Sequence, residues 1–165
     1  MAFFIQIISI WLLLWLVSKV FWQQKLASYA LKARIAFAIA YIIIGIVHLV
    51  TPEKLTYMIP DFLPYPKALV YISGVMEIVL ALLLLVPKYQ RWVGWLIIGL
   101  LLAVFPANIN VALNHLPAPG GLPAEPWYVW SRLAFQPIYI AWVWWAAIYA
   151  DKKTVPTVRK TVRVK

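Results

Sequence analysis

The chain has 165 residues, of which 65% are hydrophobic and 12% charged, and its mean hydropathy is +0.85. A soluble domain of this size is about half apolar and about a quarter charged, so the composition excludes a water-soluble fold and points to an integral membrane protein. The absence of cysteine excludes disulfide exchange, thiolate nucleophiles and cysteine-ligated clusters, while the net charge of +10 sits between apolar segments and in the tail, where it meets lipid headgroups and not nucleic acid.

Five apolar segments are predicted to cross the ~30 Å of hydrocarbon, each as a helix, because their apolar residues run all round and a helix pairs its own backbone groups. None shows the alternation of a membrane β-strand. The first, Ala2 to Val20, has no basic residue ahead of its apolar run, and that run exceeds a secretory h-region, so it reads as a retained helix. Lys19, Lys25, Lys32 and Arg34 follow before the second span, about Ile35 to Val50. Next comes TPEKLTYMIPDFLPYPK, with Pro52, Pro60, Pro64 and Pro66. Proline fixes φ and lacks a donor, so ordered turns or short extended segments are expected here, forming a cap over Tyr57, Ile59, Phe62 and Leu63. The third span, about Ala68 to Val86, is followed by Lys88 and Arg91 and then by the fourth, about Trp92 to Leu113. A second proline-rich loop, LPAPGGLPAEPW, with a turn at Gly120 and Gly121, leads to the fifth span, about Trp127 to Tyr149. The tail KKTVPTVRKTVRVK is predicted to lie on lipid.

The expected fold is therefore all-α: a four-helix transmembrane bundle preceded by one extra N-terminal transmembrane helix. Residues 1–34 form that helix and a basic cytoplasmic linker, 35–150 the bundle, and 151–165 a basic cytoplasmic tail. Lysine and arginine concentrate in alternate loops and the tail, which orients the chain with its N-terminus outside and its C-terminus inside.

With 1.5 Å of rise per residue, Glu77 falls roughly 14 Å below the outer end of its helix, Arg132 roughly 8 Å, Gln136 roughly 14 Å and Asn108 roughly 8 Å. The embedded polar residues thus share the outer half of the bundle. Ser73, Gly74, Glu77 and Ala81 fall on one face of the third span, and Arg132, Gln136 and Tyr139 on one face of the fifth. The small residues beside Glu77 let another helix approach closely. Pro106, near Asn108, frees a carbonyl one turn back, and a helix broken there would line a cavity. A carboxylate at a helix centre costs about 2.5 to 3.5 kcal/mol on insertion scales, so Glu77 needs a role. Either it pairs with Arg132, with Gln136 completing the hydrogen bonds, or it holds its proton and acts as a donor or relay. His48 and His115 read as interfacial polar residues; they lie too shallow, with too few further ligands, for a haem. The candidate ligand-binding set is Ser73, Glu77, Asn108, Arg132, Gln136 and His48, with Glu77 the candidate proton relay and no metal site expected.

GIVHLVTPEKLTYMIPDFLPYP, YISGVMEIVLALLLLVPKYQRWVGW, LLLAVFPANINVAL and RLAFQPIYIAWVWW together resemble the DoxX-like family of small bacterial integral membrane proteins. The resemblance covers roughly residues 35–150 and leaves the first helix as an addition to that core. It implies a bacterial cytoplasmic (inner) membrane location and an association with redox systems. The family takes its name from a membrane partner of a thiosulfate:quinone oxidoreductase, and more distant relatives act as assembly factors for membrane receptors. Fold transfers across such a family and chemistry does not.

Three functions follow as expectations. The first is a membrane redox subunit, with no covalent cofactor, that binds a quinone headgroup among Glu77, Asn108, Arg132 and Gln136 and works with a redox enzyme partner or as a homo-oligomer. The second is a non-catalytic scaffold or assembly factor that docks partners through its outer loops. The third is a small carrier or channel. The orientation is directly testable: a reporter fused after Lys165 is expected to be active only on the cytoplasmic side, and a periplasmic signal there contradicts it.

Overall fold

The computed structural model describes residues 2–20, 28–117 and 125–150 of the chain. Lys25, the Gly120 and Gly121 turn with Pro119 and Pro123, and the basic tail lie outside the described residues. These residues form five long helices: α1 (Ala2–Val20), α2 (Tyr29–Val50), α3 (Pro66–Leu84), α4 (Gln90–Leu113) and α5 (Pro126–Val143), the last running on as a π-helical segment, Trp144–Tyr149. The chain is an all-α, membrane-type bundle. α1 to α4 are each long and apolar enough to cross a membrane. α5 has the predicted extent only together with its π segment, and Arg132, Gln136 and several tryptophans make it less apolar than the other four.

The helix ends follow from local chemistry. Ser28 caps α2, its side chain accepting from the Leu31 amide, so the helix starts before the predicted Ile35 and takes in Lys32 and Arg34. Those two residues, expected in a linker, instead belong to the bundle. Lys32 is buried, and Arg34 Nη1 donates to the Ala146 carbonyl at 3.0 Å, tying α2 to the π segment. Pro66 opens α3 at a first-turn position where its missing donor costs nothing. α4 stops because His115 adopts a left-handed conformation (φ 51°) and the Leu116 amide reaches back to the Val111 carbonyl at 3.1 Å. His115 therefore terminates a helix. Pro106 lies inside a continuous α4, so the expected break is not present.

Between α2 and α3 the proline-rich segment forms two short 3-10 turns, Pro52–Lys54 and Thr56–Met58, where turns without helix were predicted. Proline at the first position of a helical turn is compatible with its fixed φ, and Pro52 uses that. The segment is a cap: Pro52, Leu55 and Pro60 are buried, Asn110 Nδ2 donates to the Met58 carbonyl (3.1 Å), and Tyr57 Oη donates to the Pro117 carbonyl (2.6 Å). Burial raises the Tyr57 hydroxyl above its ordinary pKa, with the Arg132 charge opposing, so it stays a donor. Phe62, expected beneath the cap, is instead 77% exposed. At its rim Glu53 pairs with Lys67, whose hydrogen bond holds the carboxyl below its ordinary pKa. That contribution is present above the ordinary carboxylate value and is lost as pH falls through the lowered one, and at this exposed position salt screens it.

The core is built largely from small and branched residues on facing helices, among them Ala36, Phe37 and Ala40 of α2, Ala81 and Leu84 of α3, and Ile97 of α4. α1 docks along one face, with Phe3, Phe4, Ile10, Trp11 and Leu14 packed against this core. Phe3 meets Tyr139 edge-on at 4.9 Å, Phe4 lies 5.0 Å from Phe135, and Ile7 is 1% exposed. The outward faces carry Leu13, Ile72, Trp92, Leu96 and Leu102, all more than half exposed, which is the inverse of a soluble surface and fits contact with lipid.

The closest helix contact is between α2 and α3, which run antiparallel and meet at glycines. A Cβ on Gly45 would lie 2.7 Å from the Gly74 carbonyl oxygen and 3.3 Å from Glu77 Cβ, and one on Gly74 would lie 2.7 Å from His48 Cβ. The expected close approach to α3 is thus made by α2. Gly74→Val is expected to destabilise the detergent-solubilised protein by about 1–3 kcal/mol, read as a lower Tm. Gly99→Ala, at a site with nothing within 4 Å, is the control and should leave Tm unchanged or slightly raised. Equal effects of the two substitutions would contradict this packing.

Candidate functional site

The crossed glycine contact sets the polar site. Gly45 lies three residues before His48 on α2, and Gly74 three before Glu77 on α3, so each glycine makes room for the polar side chain of the opposite helix. His48 Nδ1 lies 2.9 Å from Glu77 Oε2 and 3.2 Å from Ser73 Oγ. Ser73 Oγ donates its proton to the Val70 carbonyl (2.9 Å) and therefore accepts from Nδ1. The imidazole N–H is thereby drawn toward the serine, and Glu77 Oε2, though close, has no aligned hydrogen-bond donor.

The expected pairing of Glu77 with Arg132 and Gln136 is not made. Arg132 Nη2 donates to Asn108 Oδ1 at 2.8 Å, and Gln136 Nε2 donates to the Leu101 carbonyl at 2.6 Å. Both bonds join α5 to α4. The carbonyl that Pro106 leaves without its helical donor is that of Leu102, one residue after the one Gln136 binds. The physical reason for the different pairing is distance across the bundle: α2 presses directly on α3, whereas α5 packs on α4. His48, read as an interfacial residue, is the partner of Glu77.

All six predicted ligand-binding residues (His48, Ser73, Glu77, Asn108, Arg132 and Gln136) nevertheless line one cavity of about 410 Å³. Leu55, Met58 and Ile59 of the cap also line it, and Ile43, Ile44, Val70 and Val104 supply apolar wall. Sequence reasoning missed Tyr41, Tyr128 and Gln6, which line the same space. Tyr41 was recoverable, since it sits one helical turn before Gly45 on the face that carries His48. Gln6 was not, because its helix looked like an addition to the core.

Two lining residues hold a buried polar atom with no partner among the described residues, Tyr41 Oη and Arg132 Nη1, and a third, Glu77 Oε2, meets only His48 Nδ1 without an aligned hydrogen bond. Each such atom costs about 1–3 kcal/mol when left unmade, and native proteins keep few of them. They offer a phenol, a carboxyl and a guanidinium, so the cavity can donate to carbonyl or anionic oxygens and exchange a proton. A shallow depression at the start of α3, lined by Tyr65, Pro66, Lys67, Ala68 and Tyr71, has almost no polar lining and is not a rival site.

The pairing separates cleanly in a double-mutant cycle on thermal or denaturant stability. His48→Asn with Glu77→Gln should show a coupling energy of about 1 kcal/mol or more, and Arg132→Gln with Glu77→Gln should be additive within about 0.5 kcal/mol. Strong Arg132–Glu77 coupling would restore the alternative pairing.

A family model described as a domain of unknown function (DUF8561) matches residues 37–147. The matched segment holds most of α2, all of α3 and α4, and α5 with the start of its π segment, and so includes all six predicted ligand-binding residues. No curated protein and no solved structure matches the chain. With well over half of its length inside that model, the chain belongs to the DUF8561 family.

Proposed function

We propose that the chain is a multi-pass protein of the bacterial cytoplasmic membrane, N-terminus outside and C-terminus inside, that binds a quinone or similar amphiphile in the capped cavity as the membrane subunit of a redox system. The observation that carries this reading is the convergence of two buried atoms without a partner among the described residues, Tyr41 Oη and Arg132 Nη1, and the His48-paired Glu77 carboxyl around one space of about 410 Å³. Ligand cavities are of this size, largely apolar with a few convergent polar groups. A quinone carries two carbonyl acceptors on a flat apolar ring. Arg132 and Tyr41 can donate to such oxygens, and Ile43, Ile44 and Val104 offer surface to ring and tail.

Reduction of a bound quinone consumes two electrons and two protons. The electrons would come from a redox enzyme partner, in keeping with the resemblance to the DoxX-like family. The protons would come through Glu77, and the partly exposed His48 beside it connects the buried carboxyl to the capped end. A scaffold reading is favoured by a different feature. Phe62 and Tyr65 stand 77% and 80% exposed on the cap, where a docking protein could cover them.

Titration of the purified protein with a short-tailed quinone, followed by quenching of tryptophan fluorescence, tests the first reading. Saturable binding is expected, weakened roughly tenfold by Glu77→Gln through the loss of a hydrogen bond to a charged or acidic group. Absence of saturable binding contradicts it. An enzyme partner that co-purifies with Glu77→Gln but is lost when residues 52–65 are exchanged supports the scaffold.

A further inference from the structure

Charge around the cavity narrows the ligand. Among the described residues Glu77 is the sole acidic one lining it, and its carboxyl lies 2.9 Å from His48 of the neighbouring helix. That carboxyl faces α2, and no contact joins it to Arg132 among the described residues. Arg132 is different. Its Nη2 is bound to a neutral acceptor, Asn108 Oδ1, and its Nη1 is buried with no partner among the described residues. A guanidinium cannot shed its proton to escape the cost of burial, because its affinity for protons is too high. Nearby Tyr128 and Tyr139, which also line the cavity, supply dipoles but no countercharge. The guanidinium therefore has no carboxylate partner among the described residues, in surroundings of low dielectric where a counter-ion interacts far more strongly than in water.

We infer that the cavity selects amphiphiles whose headgroup carries an anionic oxygen, bound at Arg132 Nη1, over neutral ones of the same shape. The inference rests on the proposed ligand-binding role of the cavity and specifies the chemistry of the headgroup. An anionic oxygen supplies the missing acceptor and the missing charge together, and a charge-assisted bond of this kind is about twice as strong as a neutral one. The tail then runs along the apolar wall formed by Ile43, Ile44 and Val104.

A matched pair of probes tests it. A 2-hydroxy-3-alkyl-1,4-naphthoquinone is ionised at neutral pH, and its 2-methoxy analogue has the same ring and tail without the charge. Binding of both to the full-length protein in neutral-lipid nanodiscs is measured at pH 7.5 by tryptophan quenching. The hydroxyquinone is expected to bind roughly tenfold more tightly or better, the gap that one charge-assisted hydrogen bond opens. Arg132→Gln should close the gap, and Arg132→Lys, which keeps the charge, should retain part of it. Equal binding of the two probes by the wild-type protein, or tighter binding of the methoxy analogue, overturns the inference and leaves the ligand cavity standing. Binding of neither probe overturns both. The wild-type comparison decides the matter even if a variant fails to fold.

Discussion

The contact between Gly45 and Gly74 governs the polar chemistry of this bundle. It brings two antiparallel helices close enough that a methyl group on either glycine would collide with the other helix. That approach sets His48 against Glu77 and Ser73. Once Glu77 is engaged by α2, Arg132 has no carboxylate to meet, and it settles on a neutral asparagine with one nitrogen left over. The cavity and its unpaired guanidinium nitrogen descend from where the two glycines meet. A single side chain inserted there would separate α2 from α3 and dissolve the arrangement.

Much of this was legible from the residues. Helix extents came within a few positions for α3 and α4, because long apolar runs bounded by Pro and charged residues leave little freedom. The six polar residues do line one cavity, since rise per residue and 3.6-residue periodicity fix depth and facing without knowledge of packing. Partner choice was not legible. Glu77 has several polar residues at similar depth, and which one it meets depends on which helix lies against α3. Spacing held a signal: Gly45 and His48 repeat on α2 the interval of Gly74 and Glu77 on α3. Two small residues offset by the same three positions from two polar ones match an antiparallel crossing.

Other misreadings have similarly local causes. Lys32 and Arg34 looked like linker because they are charged, yet Ser28 caps the helix ahead of them and the Ala146 carbonyl receives Arg34. The helix-capping role of His115 rests on a left-handed backbone conformation that nothing in its neighbourhood announces. α1 read as an addition because the family resemblance begins only at about residue 35. Its first turns in fact close one side of the cavity, through Phe3 against Tyr139 and through Gln6 at the lining. The family-matched segment alone would leave that side open.

The central claim is that the partnerless atoms around the cavity exist to meet a ligand, as opposed to recording loose packing in a bundle whose polar residues only pin its helices. A structure of the protein extracted with its native lipids, without detergent, tests this most directly. The account predicts continuous non-protein density inside the capped cavity, with a polar end in contact with Arg132 Nη1 and an apolar stretch along Ile43 and Val104. A cavity holding only water molecules that bridge Tyr41, Glu77 and Arg132 would contradict it.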